Sequence, residues 1–466
     1  MRPEQIDELR ALVGPDRVDT DRANLAVLSR DSSYRSMKLE RAGQNTAVAD
    51  VVVVPRDTDQ VAAVLRWCSD AGVPVTPRGP GSAVMGSGIP LKGGVLLDIR
   101  GFNQVLEIDE QDRRVRVQGS ILLSDLETEL NKHGLTGGHY PQSLYVAGVA
   151  GSMAMRGTGT FSSLYGSVED RLAELTVVLP TGEIYRSHNS PRASTGPDLR
   201  QLFLGSEGTL GVITEVVLKV LPIPESRRFA SYAFDRFEDS LETTRGMLAA
   251  GVVPAVLRIY DPVETQAKHA HFATAQGTWL MVLLYEGAAD LTDVQSAIVE
   301  RIASQHDGRA TGEEPARTWE THRFDVSWMS DQVERDGGVA EAIEVCATWS
   351  QLPRLMARMQ EAAKKTMARV MGHVSHIYSD GASLYVISSG DYPTDEAALL
   401  AYDQLWKDVM TVVTEEGAVI SHHHGIGFER APWIGQANGE TGTKLLKGIK
   451  KLIDPAGVMN PGKLGL

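Results

Sequence analysis

The chain has 466 residues, with 46 Lys and Arg against 60 Asp and Glu and a net charge of −14 at pH 7. It is long enough for two or three domains and lacks the basic excess that nucleic-acid binding draws on. Two cysteines, Cys68 and Cys346, are too few for a disulfide framework or a cysteine-held iron–sulfur cluster.

The first residues are polar and no apolar run approaches the ~18–20 residues of a membrane span, so a soluble cytoplasmic protein without a secretory leader is expected. Residues 1–48 read as a short helix, Glu4 to Val13, followed by a polar, arginine-rich segment. Asp50 to Pro55 has the apolar run of a buried strand ended by proline. Asp57 to Ala71 places Val61, Val64, Leu65 and Cys68 on one side of a helix, and Val73 to Thr76 predicts the next strand. Strands at Gly94–Asp98 and Val105–Asp109 and a helix over Leu123–His133 follow.

A loop rich in glycine, Pro77 to Gly86, interrupts this pattern, and glycine density peaks again over Gly134–Gly166 and over Leu202–Ile213. Strands at Glu174–Leu179 and Glu183–Arg186 form a hairpin, and Thr214–Val220 is a further strand. Residues 226 to about 420 alternate strands (Phe229–Phe234, Ala255–Tyr260, Trp279–Tyr285, Ser383–Ser388) with helices (Phe237–Ala249, Asp290–Ser304, Leu352–Met367, Asp395–Glu415). That alternation predicts an α+β unit on an antiparallel sheet. From Gly417 the glycine-rich style returns. The expected organisation is an N-terminal segment 1–48, a first domain 49–224, a second domain 225–420, and a tail 421–466 that completes the first.

Gly79-Pro-Gly81-Ser82-Ala83 follows a strand and is neither a G-x-G-x-x-G nor a P-loop. Alone, such a loop suits an ordinary turn as well as a phosphate cradle made of backbone N–H groups. Two further clusters, Gly148–Gly151 and Glu207–Gly211, turn the balance toward an extended nucleotide such as FAD. Arg258 sits on an otherwise apolar strand, where a cation is costly unless paired, so Asp261 or an anionic ligand is its expected partner. The run His422-His423-His424 alternates faces on an extended segment, so its rings cannot all hold one ion and no metal is expected.

The series Pro77–Ser82, Pro141–Ser143, Tyr165–Asp170, Ser194–Asp198 and Gly205–Glu215 resembles the vanillyl-alcohol-oxidase (PCMH) type of FAD-binding flavoenzyme. Within it, Ser194–Asp198, Tyr378–Tyr385 and Ser421–Gly427 are most similar to the alkylglycerone-phosphate synthase branch. The resemblance implies an α+β chain with a two-subdomain FAD-binding domain and an α+β cap carrying an antiparallel sheet. It also implies FAD held by Pro77, Arg78, Gly79, Pro80, Gly81, Ser82 and Ala83. Gln142, Ser143, Leu144, Tyr145, Val146, Ala147 and Gly148 would add to the site, with Met155, Arg156, Gly157 and Thr158. Glu207, Gly208, Thr209, Leu210, Gly211, Val212 and Ile213 would close it.

The first loop has no histidine, so a non-covalent flavin is expected. The implied reaction exchanges the acyl chain of an acyl-dihydroxyacetone phosphate for a fatty alcohol through a flavin N5 adduct. Tyr385 would be catalytic with one or more of His422, His423 and His424, and Arg335, Arg258 and His376 would bind substrate. The Asn460-Pro-Gly-Lys463 ending and His373, where those synthases carry an arginine, leave open an FAD-dependent oxidoreductase of a 2-hydroxy acid such as D-lactate or glycolate. A small or lipid-like substrate is implied either way, and a homodimer and a peripheral membrane contact are compatible with the resemblance.

Overall fold

The computed structural model describes the backbone of residues 1–466 and every side chain but that of Thr274. The chain divides into two units, one of residues 1–158, 167–222 and 423–466, the other of residues 159–166 and 223–422. Residues 159–166, 223–224 and 421–422 thus lie in the second unit, where the sequence reading placed them in the first domain or the tail.

In the first unit, β1 (Val18–Asp19), β2 (Val51–Val53), β3 (Val75–Arg78) and β4 (Val95–Asp98) form a sheet in the order β1-β2-β4-β3. β2, β4 and β3 run parallel, and their apolar runs are buried on both faces. One face carries Val51, Val53, Val95 and Leu97 against the helix Thr58–Ala71, whose Val61, Val64, Leu65 and Cys68 are fully buried. Each such side chain contributes about 1.5–3 kcal/mol. Asp57 caps that helix by accepting the Gln60 N–H at 2.8 Å, and Gly72 ends it in the left-handed region. Burial pushes the Cys68 thiol up to about 12, which makes it packing rather than a nucleophile.

The opposite face carries Val52 and Leu96 against Leu25. Leu25 belongs to a helix, Arg22–Leu28, capped by Asp21, and a second helix, Tyr34–Arg41, follows with Ser33 as its cap. The arginine-rich stretch is therefore helical where sequence suggested only a polar segment. Arginine is a good helix former, and the two caps are the missed signals.

β5 (Val105–Asp109), β6 (Arg114–Gln118), β8 (Leu172–Val178), β9 (Ile184–Arg186) and β10 (Val212–Lys219) build an antiparallel sheet in the order β5-β6-β10-β8-β9, while β7 (Leu135–Thr136) pairs with β11 (Leu221–Pro222). The tail is not merely glycine-rich loop: Ala431–Ile453 is helical, broken at Gly439 with φ 66°. Helical glycines cost about 1 kcal/mol each, and the Leu/Lys periodicity after the break overrides that cost.

The second unit is built on one antiparallel sheet of β12 (Ser226–Phe234), β13 (Val256–Tyr260), β14 (Trp279–Gly287), β15 (Arg309–Ala310), β16 (Gly338–Thr348), β17 (Arg369–Ile377) and β18 (Gly381–Asp391). The order is β15-β12-β14-β13-β17-β18-β16. Among the described residues, no helix is long and apolar enough to cross a membrane.

Candidate active site

The first unit brings the three glycine clusters together. A Cβ on Gly148 would sit 3.1 Å from Pro80, and one on Gly208, whose φ is +70°, would sit 2.5 Å from Pro77. Glycine at 208 is thus required twice, by its backbone conformation and by the approach of the first loop to the third. Asn460 Nδ2 ties the same segments, donating to Ser87 O at 2.9 Å and Glu207 O at 2.7 Å. The N-terminal segment braces the first loop through Ser32 N–H to Ala83 O, 2.9 Å.

Loop residues 77–84 are half-buried. The N–H groups of Gly79, Gly81, Ser82 and Ala83 donate to no protein acceptor among the described residues, and Arg78 Nε is buried without a partner. A row of uncommitted backbone donors with a guanidinium beside it fits the pyrophosphate of a dinucleotide.

Within the other predicted loops, Leu144, Ala147 and Gly148 are buried and Gln142, Tyr145 and Val146 exposed. Met155 and Gly157 are half-buried and Thr158 is buried, but the exposed Arg156 pairs with Glu169 at 3.0 Å. Residues 207–213, Glu207, Gly208, Thr209, Leu210, Gly211, Val212 and Ile213, are all buried. The Glu207 carboxylate accepts the N–H groups of Ile426 at 2.6 Å and Gly427 at 2.8 Å. It clamps the tail, and burial pushes its carboxyl up to about 7. Both Glu207 carboxylate oxygens are thus committed to the tail, which leaves its backbone for a ligand.

The second unit contributes a polar row across an apolar sheet. Glu344 of β16, Tyr385 of β18, His373 of β17 and Tyr260 of β13 are directly paired neighbours and so share one face. The half-buried Tyr385 stacks on His373 with ring centres 4.7 Å apart and planes at 16°. His373 Nδ1 lies 2.8 Å from Glu264 Oε2, and its Nε2 lies 3.3 Å from Arg258 Nη1. Burial pushes His373 down to about 4, so the neutral ring gives its Nδ1 proton to Glu264 and presents Nε2 to Arg258. Burial opposes ionisation of Glu264, yet His373 and Lys268, the latter 2.5 Å away, hold its carboxyl below the usual range.

Arg258 also lies over the Trp319 ring at 5.7 Å. Asp261, its expected partner, instead caps the helix Pro262–Lys268 by accepting the Glu264 N–H at 2.7 Å and takes Gln360 on its other oxygen. Residues three apart in a strand face opposite ways, which is why the pairing fails.

A second cluster surrounds His422. Tyr378 Oη is 2.5 Å from His422 Nε2, and the His376 ring stacks on His422 at 5.1 Å. His376 Nδ1 is held by Ser375 and Ser383 at 2.8 and 3.0 Å. Fully buried Glu344 accepts from Ser421 Oγ at 3.1 Å and from the His422 N–H, fixing this segment. Burial lowers the His422 pKa, which keeps the ring neutral and able to accept a phenolic proton. His423 and His424 belong to the first unit, their rings 4.7 Å apart at 69°. Arg335 is exposed at the end of the helix Ser327–Glu334 and donates to Gln332 at 3.3 Å.

Glu264 and Glu344 were not singled out from sequence. Glu344 could have been: a carboxylate within Ala342-Ile-Glu-Val345 is as costly as Arg258 on its strand unless paired. Glu264, four residues before Lys268 on a helix, reads as a solvated pair.

A family model of the C-terminal domain of FAD-linked oxidases matches residues 223–464, and a FAD-binding domain model matches residues 49–188. The chain belongs to the FAD-linked oxidases. It is a member of a family of FAD-dependent enzymes, and FAD is its cofactor. The uncharacterized FAD-linked oxidoreductase YgcU of Escherichia coli is 30% identical over 98% of this chain and 97% of its own. The alkyldihydroxyacetonephosphate synthase of Dictyostelium discoideum is 27% identical over 99% of this chain and 80% of its own. Glycolate oxidase subunit GlcD of Bacillus subtilis is 27% identical over 98% of this chain and 96% of its own. A solved alkyldihydroxyacetonephosphate synthase superposes with a TM-score of 0.82 at 24% identity, covering 99% of this chain and 85% of that one, which shows a common fold.

Proposed function

We propose that this FAD-linked oxidase family member exchanges the acyl chain of an acyl-dihydroxyacetone phosphate for a fatty alcohol, with small oxygenated substrates handled at the sheet face of the second unit. The observation that carries the reading is the phenol–imidazole pair Tyr378–His422 at 2.5 Å with His376 stacked behind it. Such chemistry requires a proton to leave and return at a carbon next to a ketone. FAD, when bound, supplies an electron-accepting ring against which that carbon reacts.

In this reading the first loop, Pro77 to Ala83, holds the dinucleotide through its uncommitted N–H groups, and Gly148 and residues 207–213 close around it. Tyr385 Oη moves the substrate proton, its ring angle fixed by the His373 stack. Neutral His422 accepts the proton of Tyr378, and Glu344 fixes the His422 backbone. His423 or His424 donates to a developing oxyanion. Arg258, oriented by His373 and covered by Trp319, binds the anionic end of the substrate, and Arg335 and His376 assist. The likeness to alkyldihydroxyacetonephosphate synthase along the chain supports this.

A second reading, oxidation of a 2-hydroxy acid, is favoured by the scarcity of cations on the polar row, where neutral His373 sits beside Arg258. One guanidinium suits a carboxylate better than a phosphate dianion. Anaerobic addition of each substrate class separates the two: release of fatty acid with the flavin still oxidised supports the synthase reading, and bleaching by a hydroxy acid supports the second.

A further inference from the structure

The residues expected to hold FAD begin at Pro77, yet the single cation of the first loop is oriented from the N-terminal segment. Arg78 ends β3 beside Asp98 of β4, its register partner. Asp98 is already taken, because Arg100 grips both its oxygens, Nε to Oδ1 at 2.9 Å and Nη2 to Oδ2 at 2.6 Å. Arg78 has no ion-pair partner among the described residues. Its Nη1 instead donates to the carbonyl of Arg30, and its Nη2 lies under Gly81, where a Cβ would collide with it. Its Nε is buried without a partner. A guanidinium is a rigid planar fork, so holding one arm on a fixed carbonyl fixes the direction of the others.

Asp31 holds that carbonyl in place. It is buried, and its Oδ1 accepts the Ser33 N–H at 3.2 Å, the Ser33 hydroxyl at 2.7 Å and the Ser36 hydroxyl at 3.0 Å. Three donors on one oxygen knot residues 31–36 into the start of the helix Tyr34–Arg41. The same knot sets Ser32, whose N–H holds Ala83 O at 2.9 Å. The segment is anchored on either side of the knot. Ser29 Oγ accepts the Ala49 N–H at 3.0 Å, and Arg35 pairs with both oxygens of Glu429 at 2.8 and 3.3 Å. Burial and then Arg100 lower the Arg78 pKa, and the charges of Asp98 and Asp31 oppose them. We propose that Asp31 is a positioning residue for the cofactor: by fixing the Arg30 carbonyl it aims Arg78 at the pyrophosphate of FAD. The flavin then meets a guanidinium whose orientation is settled beforehand, which raises affinity by cutting the ordering cost of binding. The proposal rests on the reading that Pro77 to Ala83 holds the dinucleotide, and on neither of the two reactions.

The test is the FAD Kd of the full-length protein, obtained by diluting the loaded enzyme in steps and reading released flavin by its fluorescence. Wild type, Asp31→Ala, Arg78→Ala and the double variant are compared. Each single variant is expected to raise the Kd at least about tenfold, and the double variant to bind no more weakly than Arg78→Ala. Asp31→Asn, which keeps an acceptor for Ser33 and Ser36, should restore most of the affinity lost in Asp31→Ala. Sedimentation velocity and circular dichroism establish that the variants remain folded. Ser36→Ala, which removes one of the three donors, is the milder variant should Asp31→Ala not fold, and is expected to raise the Kd several-fold. An unchanged Kd in Asp31→Ala or, failing that variant, in Ser36→Ala overturns the proposal while a weakened Arg78→Ala leaves the loop reading standing. An unchanged Kd in Arg78→Ala overturns both. Equal losses from Asp31→Ala with and without Arg78 overturn the proposal, since Asp31 would then act other than through the guanidinium. So does an Asp31→Asn as weak as Asp31→Ala.

Discussion

Tyr385 is the residue on which the proposed chemistry turns, and its surroundings say why a phenol there is more than packing. The residue is half-buried and its ring is stacked on His373, which fixes the ring angle. Tyr385→Phe keeps the stack and removes only the oxygen. Turnover should fall by at least about 100-fold while FAD stays bound, measured as steady-state rate and flavin absorbance; normal turnover would remove the phenol from the mechanism. His422 sets the pH dependence. Burial holds its pKa below the ordinary 6.5, so the neutral, proton-accepting form persists into mildly acid solution. The acid limb of the rate profile should lie below pH 6.5 and disappear from the residual activity of His422→Gln. A limb above 6.5 in the wild type would assign the titration to another group.

Helices and strands were legible wherever local pattern and burial agree. Phe237–Ala249 and Asp395–Glu415 fall at the residues the periodicity predicts. β16 and β17 were missed because each breaks the apolar run with polar residues: Glu341 and Glu344 in one, His373, Ser375 and His376 in the other. Pairing in the sheet is what makes these polar residues affordable, and pairing is invisible in a single strand. The tail was misread for the opposite reason, since Gly435, Gly442 and Gly448 mask a Leu/Lys helix. The loops, by contrast, were legible through glycine, because close approach of segments leaves no other choice. Gly427 shows this: its φ is +54° and a Cβ would collide with Met85 O. Gly427→Ala should therefore lift the tail from the first loop at a cost of about 1–3 kcal/mol and reduce FAD loading, read by flavin-to-protein absorbance. Full loading with an unchanged melting temperature would mean the tail does not hold the first loop in place.

For the whole molecule, acid stability is set by buried histidines that must charge on unfolding. His139 is buried, neither ring nitrogen has a partner among the described residues, and burial pushes it from 6.5 down to about 4. His269 and His373 are pushed to about 4 as well, again chiefly by burial. Below pH 6.5 the unfolded chain takes up protons that the folded chain refuses, so their contribution is complete above 6.5 and lost as pH falls toward 4. For His139 that loss reaches about 3 kcal/mol. Glu207, raised to about 7, acts in the opposite sense, stabilising when protonated and losing its contribution as pH rises through 7. Denaturation midpoints between pH 7 and 4 should fall in the wild type and fall less in His139→Leu; parallel slopes would show that His139 is not a source of the loss.

What the enzyme does with its flavin decides between the two reactions. The purified, FAD-loaded protein should be followed anaerobically by absorbance after addition of D-lactate, glycolate and an acyl-dihydroxyacetone phosphate in turn. The hydroxy acids should leave the oxidised spectrum unchanged, and the phosphate substrate should perturb it with release of fatty acid. Bleaching of the flavin by a hydroxy acid, with no fatty acid released from the phosphate substrate, would contradict the proposed exchange.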